Sequence, residues 1–399
     1  MNVVFVGGFT YPRGMAGTRY VQLTIDGLHQ QKNVSTQVVV LRQSSRDNAP
    51  SGVFAGVPYE TVMPDALRAK AALLAPVLWK RTVSKLKACF QPDSKNIVFH
   101  YGPPGFDSVV PLSRLRKRGY AVVYCIVEDD DVSGNISRSP YHRWQTWIRR
   151  HQTGRIGSLA DGIVVISSRL QKKFQGLTGG ATPMHLHPVL IDIDRFPLMG
   201  DHAAGPPALF YGGSFGVKDG VEDLLAAFDQ LAVRHRELRL VLSGKGTPER
   251  MHLIQDRIAL SPARHRIDYR GYLDDDTYYD TLNSVTIPCM TRIDSAYAHG
   301  GFPFKLGEYL ATGKPVVATR ASDVGEMLVD RRHAMLVEPG SVDGIVQAVQ
   351  YLLDEPGRAR QIGAEGRRCA ADMFDYRQRG ERLYGFLASL FAKRANCEG

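Results

Sequence analysis

The residues with most chemical potential lie between His299 and Thr319, in HGGFPFKLGEYLATGKPVVAT. Gly300, Gly301 and Phe302 read as a turn that opens a helical pattern at Phe304, with Leu306, Tyr309 and Leu310 on one face. Gly313 ends that helix, and Pro315–Ala318 follows as a short buried strand. A glycine turn opening a helix presents N–H groups without helical partners at the positive end of the dipole, which suits a phosphate. Gly301, Phe302 and Phe304 form that cradle, and Lys305 and Glu308 stand beside it one helical turn apart. A carboxylate accepting from sugar hydroxyls next to a cationic phosphate cradle is what a sugar-nucleotide site needs. The same letters also describe an ordinary loop, helix and strand of an α/β domain.

Further groups extend this chemistry. In Gly212-Gly213-Ser-Phe-Gly-Val-Lys218, the lysine precedes a helix and can neutralise a leaving phosphate as a compact point charge. Lys245 follows Gly244 and offers a second charge. Near the start of the chain, Gly14-Met-Ala-Gly17-Thr-Arg19 sits between a strand and a helix, so Gly17 and Arg19 are candidates to approach a phosphate or an acceptor. The strand Ala121–Val127 ends in Glu128-Asp129-Asp-Asp131. From the residues alone those acids read as a paired-carboxylate metal site on a diphosphate or as a solvated loop. Asp274–Asp276 reads as a helix N-cap before Tyr278. The histidines show no metal-ligand spacing. His100 closes a strand, and His299 adjoins the glycine turn.

Positioning these groups requires parallel sheets. Strand candidates at Val3–Val6, Thr36–Leu41, Ile97–His100, Ala121–Ile126 and Gly162–Ile166 alternate with helical patterns such as Arg19–Gln31 and Ser167–Gln175. A second series runs through Ala208–Tyr211, Leu238–Leu242, Arg266–Tyr269, Val285–Pro288, Pro315–Ala318 and Ala334–Val337. The Pro- and Gly-rich stretch 197–207 between them has the composition of a linker. This pattern predicts two Rossmann-like halves with ligands beyond the carboxyl ends of the strands. The expected domains are 1–197 and 207–375.

The order and spacing of several motifs resemble the retaining nucleotide-sugar glycosyltransferases of family 4. These are Phe5-Val-Gly-Gly-Phe-Thr-Tyr-Pro12, Ala160-Asp-Gly-Ile-Val-Val-Ile-Ser167, His187-Pro-Val-Leu-Ile-Asp192, Tyr211-Gly-Gly, Leu242-Ser-Gly-Lys-Gly246, Tyr269-Arg-Gly-Tyr and the 299–319 segment. The resemblance implies the α/β GT-B fold, two Rossmann-like parallel-sheet domains facing each other across a cleft. It also implies a last helix, about 376–399, crossing back onto the N-terminal acceptor domain. Glu308 matches the family's ribose-binding Glu, while the first Glu of that pattern falls at Gly300. Lys218 keeps the family's diphosphate lysine, whereas the Arg that usually accompanies it falls at Gly213. Lys-x-x-Glu-Tyr-Leu-Ala from Lys305 marks a subgroup. Glu128 and Asp129 stand where relatives often carry a His-Asp pair, so the resemblance implies that a carboxylate here positions the sugar or deprotonates the acceptor.

The expected function is therefore transfer of a hexose from a UDP- or GDP-sugar to a hydroxyl of a glycan or lipid-linked acceptor. No further cofactor and no metal are expected. Two alternatives remain open: a nucleotide-sugar epimerase or hydrolase of the same fold, and a non-catalytic scaffold that binds a membrane.

Composition narrows the setting. At 399 residues the chain can hold two full cores, and its net charge of +10 implies an anionic partner. Five scattered cysteines, none in CxxC spacing, fit a reducing compartment. The strand beginning at Asn2 leaves no room for a signal peptide, and no apolar run reaches the ~20 residues of a membrane span. Residues 66–90 carry six Lys or Arg and no acid among interleaved apolar residues, the pattern of a segment lying on an anionic bilayer. A cytoplasmic protein, peripheral on the inner face of the membrane, is the corresponding expectation. No nucleic-acid motif is present.

Overall fold

The computed structural model describes residues 1–42, 48–63, 74–129, 140–197 and 205–395. It divides into a first unit, Met1–Leu190 with Tyr376–Gly399, and a second, Ile191–Asp375. The predicted linker falls largely at 198–204, outside the described residues, as do 66–73 of the basic segment and the acids 130 and 131.

In the first unit, strands β1 (Asn2–Gly7), β2 (Ser35–Arg42), β3 (Ser51–Phe54), β4 (Val57–Met63), β5 (Asn96–Tyr101), β6 (Ala121–Ile126), β7 (Gly162–Val165) and β8 (Met184–Leu186) form one sheet. Their order is β3-β4-β2-β1-β5-β6-β7-β8. Every pairing is parallel except β3 with β4. All residues of β1, β6 and β7 are buried, which is why these strands read as continuous apolar runs without alternation. The connecting helices are α1 (Ala16–His29), α2 (Ala75–Ala88), α3 (Val109–Arg116), α4 (Pro140–Gly154), α5 (Ile156–Leu159) and α6 (Ser168–Thr178). Helix α6 begins where expected because Ser167 caps it, its hydroxyl accepting from Leu170 N at 3.2 Å.

The second unit has strands β9 (Ala208–Ser214), β10 (Arg239–Lys245), β11 (Ile267–Tyr269), β12 (Ile287–Met290), β13 (Val317–Thr319) and β14 (Met335–Val337). They form an all-parallel sheet in the order β11-β10-β9-β12-β13-β14. Helices α7 (Val221–Arg234), α8 (Pro248–Ala259), α9 (Asp275–Ser284), α10 (Ala296–His299), α11 (Phe304–Ala311), α12 (Val324–Met327), α13 (Val342–Asp354) and α14 (Pro356–Phe374) surround it. Leu224, Leu225, Phe228 and Leu231 of α7 and Ile345, Val349 and Leu352 of α13 pack into one core with Leu209, Leu240 and Ile287 of the sheet. The final helix, α15 (Tyr376–Ala395), belongs to the first unit and packs on α1. Their backbones touch at Gly27 and Gly380, where a β-carbon on Gly380 would stand 2.3 Å from the Gly27 carbonyl oxygen.

Several expectations need correction. The β3–β4 hairpin and the short β8 were not expected. Helix α1 begins at Ala16 rather than Arg19, so Gly17 lies in its first turn and not in a free loop. The reason is local: Thr18 bonds back to the Thr10 carbonyl through its hydroxyl and to Met15 through its N–H. Strand β12 starts two residues later than expected, at Ile287. In α2, the described half of the basic segment, Leu78, Thr82 and Leu86 are buried, and Trp79 Nε1 donates to the Phe106 carbonyl at 2.7 Å. Its apolar side therefore packs on its own domain, leaving Lys80, Arg81, Ser84 and Lys87 outward.

Candidate active site

β9 is the first strand of the second unit and lies between β10 and β12, so the chain changes direction across the sheet between β9 and β12. Ligand crevices of open α/β sheets form at the carboxyl ends beside such a switch. Gly212 and Gly213 lie in the last three residues of β9 there. Helix α11 is locked beside them, because Tyr309 Oη accepts from Gly212 N at 2.8 Å and donates to Gly212 O at 3.2 Å.

Lys305 is the centre of the arrangement. Its Nζ donates to Tyr211 Oη at 2.7 Å, lies 3.3 Å from Asp219 Oδ1, and sits 3.9 Å from the centre of the Tyr211 ring. The Tyr211 hydroxyl in turn donates a hydrogen bond to the Ser214 carbonyl. Asp219 Oδ2 accepts from Ser214 Oγ at 2.7 Å and from Gly216 N at 3.2 Å. Burial pushes the Lys305 ammonium down to about 8; Asp219 opposes the shift, while Arg292 and Lys218 add to it. Burial of Asp219 works against its charge, but Lys305, the Ser214 hydroxyl, Arg292 and Lys218 together hold its carboxyl below the usual range.

Two glycines make this geometry feasible. Gly213 adopts φ +146°, and a β-carbon there would stand 2.7 Å from Lys305 Nζ. Gly244, at φ +131°, lies so close to the Gly213 carbonyl that a β-carbon would stand 1.7 Å from it. The ammonium thus occupies the space in which a side chain at position 213 would begin.

Glu308 lies on the same helix. Its Oε2 accepts from Tyr278 Oη at 3.0 Å and its Oε1 from Tyr279 Oη at 3.1 Å. Both tyrosines come from the first turns of α9, which Asp274 caps by accepting from Thr277 N, the role expected for that acid run. Lys218 lies in a 3₁₀ turn, Val217–Asp219, next to Asp219. The structure therefore brings Gly212, Gly213, Lys218, Gly244, Lys305 and Glu308 to one strand end.

Other candidates are placed differently. Lys245 is exposed, 4.4 Å over the Tyr272 ring, and its charge is not part of the Lys305 cluster. The Phe302 side chain is buried 5.8 Å from Phe374 and lines no open surface; only its backbone remains available to the turn. Arg292 holds that turn from beneath, donating to Ala298 O at 3.2 Å and Gly301 O at 3.4 Å. Phe304 is half-buried at the start of α11. His299 bridges Asp294 and Ser322: its Nδ1 accepts from Ser322 N at 2.9 Å, and Nε2 lies 2.6 Å from Asp294 Oδ1. Sequence reasoning missed Asp219, Tyr211, Arg292, Tyr278 and Tyr279. The one available signal was the acid directly after Lys218.

In the first unit, a cavity of about 290 Å³ opens at the carboxyl ends of β1, β5 and β6, lined by Phe9, His100, Tyr101, Phe106 and Glu128 among others. Gly17 lies against it through Tyr101, whose hydroxyl would be 2.7 Å from a β-carbon at position 17. Arg19 is half-buried on α1. Asp129 pairs with Lys173, 2.5 Å away, and Glu128 and Asp129 line one small pocket together with that lysine.

Residues 206–355 match the family described as Glycosyl transferases group 1. A GDP-mannose-dependent alpha-(1-6)-phosphatidylinositol monomannoside mannosyltransferase of Mycolicibacterium smegmatis is 28% identical over 252 residues, 60% of this chain and 65% of that protein. A glycogen synthase of Mycobacterium tuberculosis is 26% identical over 254 residues, 61% of this chain and 56% of the relative. The MMP alpha-(1->4)-mannosyltransferase of Mycolicibacterium hassiacum is 32% identical over 182 residues, 45% and 42% of the two chains. The chain spans less than two thirds of the length of these relatives. Sucrose-phosphate synthase from Thermosynechococcus elongatus superposes with a TM-score of 0.75 at 17% identity, covering 98% of this chain and 99% of that one. Anabaena HepE in complex with UDP-glucose gives 0.72 at 15%, covering 98% and 100%. The fold is thus GT-B, two parallel-sheet α/β domains, and the second carries a group 1 glycosyltransferase segment.

Proposed function

We propose that the chain is a retaining glycosyltransferase that moves a hexose from a UDP- or GDP-sugar to a hydroxyl of a glycan or lipid-linked acceptor. The observation that carries this reading is the Lys305 ammonium beside bare Gly213, one helical turn from Glu308. In this reading Lys305 supplies from α11 the charge that the family pattern draws from an Arg at position 213. Lys218 and the N-terminus of α11 complete the reception of the departing diphosphate, where fixed dipoles favour developing charge. Glu308, oriented by Tyr278 and Tyr279, retains lone pairs for the ribose hydroxyls.

The sugar C1–phosphate oxygen bond breaks as the acceptor oxygen bonds to C1 from the same face. The acceptor proton passes to the departing phosphate, so neither a strong protein base nor a resident metal is required. The GDP-mannose named for one relative and the UDP-glucose bound by a structural neighbour are the donors to try first. The outward basic face of α2 is the surface proposed to meet anionic lipid at the cytoplasmic side of a membrane.

Thermal protection by UDP and GDP, followed by turnover with the corresponding sugars, tests the assignment. Glu308→Ala and Lys218→Ala should each lose most turnover. Wild-type rates in both would remove the site, and donor consumption independent of any acceptor would redirect the reading to a hydrolase.

A further inference from the structure

Glu308 is held by two tyrosines that rest on different parts of the fold. Tyr278, which donates to Oε2, leans on Phe210 of β9 with ring centres 6.0 Å apart. Tyr279, which donates to Oε1, is packed by the segment through which the chain enters the second unit. Phe196, 1% exposed, meets the Tyr279 ring edge-on at 5.2 Å and 79°. The Arg195 guanidinium lies over the same ring, 5.4 Å from its centre. Both kinds of contact depend on how the ring is turned, so together they fix the plane in which the Tyr279 hydroxyl reaches Glu308.

The entry segment is itself anchored. Ile191 N donates to the Phe374 carbonyl at 2.9 Å, and Ile191 pairs with Asp375. Asp192 caps the 3₁₀ turn Ile193–Arg195, its carboxylate accepting from Asp194 N at 3.3 Å. Arg367 of α14 then joins the segment to α11. Its Nη1 donates to the Phe196 carbonyl at 2.6 Å and to the carbonyl of Ala311, the last residue of α11, while Nη2 reaches the Ile193 carbonyl at 3.5 Å. Carbonyls in a helix's last turn lack helical partners, and the fixed fork of a guanidinium serves several acceptors at once. The segment is thus tied to α11 at two points: to Glu308 through Tyr279, and to Ala311 through Arg367.

A glutamate side chain free to change rotamer must be ordered when a ligand binds, and that ordering costs affinity. The geometry points to Arg195 and Phe196 as positioning residues for the donor: by orienting Tyr279 they pre-set Oε1 of Glu308, so the entry segment governs how tightly the ribose of a nucleoside diphosphate is held. This rests on the reading of Glu308 as the ribose ligand and deepens it by naming what controls that grip.

Titration calorimetry with UDP and GDP, each beside its 2′,3′-dideoxy counterpart, separates the hold on the ribose from the rest of the nucleotide. Wild-type protein should bind the ribonucleotides more tightly than the dideoxy forms. Phe196→Leu, which keeps an apolar side chain in place, should weaken ribonucleotide binding roughly 5–10-fold, part of the worth of one hydrogen bond to a charged group. Arg195→Gln should weaken it roughly 2–5-fold, the worth of an exposed cation over a ring, and Arg195→Lys should restore it. Dideoxy affinity should stay at the wild-type value in all three, which reports an intact fold and diphosphate site. Phe196→Leu added to Tyr279→Phe should cost nothing further, because the route through the hydroxyl is already cut.

An equal fall for ribo- and dideoxynucleotides in folded Phe196→Leu and Arg195→Gln overturns the inference, since a merely structural role would act that way. A full further loss on adding Phe196→Leu to Tyr279→Phe overturns it as well. Should Phe196→Leu not fold, the two Arg195 variants, at a side chain 47% exposed, decide the matter. A wild type indifferent to the ribose hydroxyls overturns the Glu308 reading and this inference with it. A wild-type preference that both variants keep overturns the inference alone and leaves the donor site standing.

Discussion

Replacing Lys305 by Met separates what the ammonium does for the fold from what it does for the donor. Asp219 is 2% exposed, and Lys305 lies 3.3 Å from it with 12% of its own side chain exposed. The substitution leaves the carboxylate with the hydrogen bonds from Ser214 and Gly216 and the charges of Arg292 and Lys218, while its burial is unchanged. Breaking a buried pair by removing one partner costs ~3–5 kcal/mol, and the two retained hydrogen bonds place this case near ~3. For a domain of this size that loss lowers Tm by about 6–12 °C. A second substitution, Asp219→Asn, removes the stranded charge. The double variant should regain most of the lost stability.

Activity should not follow. If Lys305 receives the leaving diphosphate, both variants lose about 10²–10³ in kcat, the usual cost of one transition-state charge stabiliser. Differential scanning calorimetry and donor turnover on the four proteins of the cycle measure the two effects. Restored turnover in the double variant would refute the catalytic role. An unaltered Tm in Lys305→Met would refute the buried pair itself.

Other expectations follow from the same geometry. Lys305 sits at about 8, below its ordinary 10.5, so its charge is present below that pH and lost as pH rises through it. kcat/KM for the donor, which reports the free enzyme, should therefore fall above pH 8, and Lys305→Arg should remove that limb. The stability sign differs: between about 8 and 10.5 only the unfolded chain holds this proton, so the group's contribution to stability rises with pH there. Gly213→Ala forces a side chain into φ +146° against Lys305 Nζ and should cost ~1–3 kcal/mol together with most donor turnover. Tyr278→Phe and Tyr279→Phe should each raise the donor KM by roughly 10- to 100-fold at most, the worth of one hydrogen bond to a charged group, with less effect on kcat. Because α2 buries Leu78 and Leu86, any binding to anionic liposomes should be electrostatic and disappear at high salt; sedimentation that persists there would contradict the packing.

Much of the fold was legible because parallel strands covered on both faces leave an unmistakable mark. Val3 to Val6, Ala121 to Ile126 and Gly162 to Val165 are wholly buried, and their apolar runs need no tertiary information to be read. The β3–β4 hairpin escaped for the opposite reason. β3 is exposed throughout, and its turn uses Ala55 at φ 49° before Gly56 at φ 77°, a mirror-image turn without the usual Asn or Asp. At β12 the apolar letters Val285 and Ile287 gave no means of fixing register. That was set instead by pairing with β9, Ile287 opposite Leu209.

The candidate site divides along a similar line. Lys218, Lys305 and Glu308 stand out because their position relative to glycine turns and a helix start is a local property of the chain. Asp219 and Tyr211 do not, since their importance comes from burial against a lysine more than eighty residues away. The same cluster bears on one of the two departures from the family pattern, the glycine at position 213. An Arg at position 213 and a lysine at 305 would compete for the same space, as the 2.7 Å approach to Gly213 shows. On the proposed reading, the lysine takes over the charge that an arginine at position 213 would supply. A Gly213→Arg substitution made to restore the pattern should displace Lys305 and lower donor turnover. Only in a chain that also lacks the lysine should the same arginine recover it.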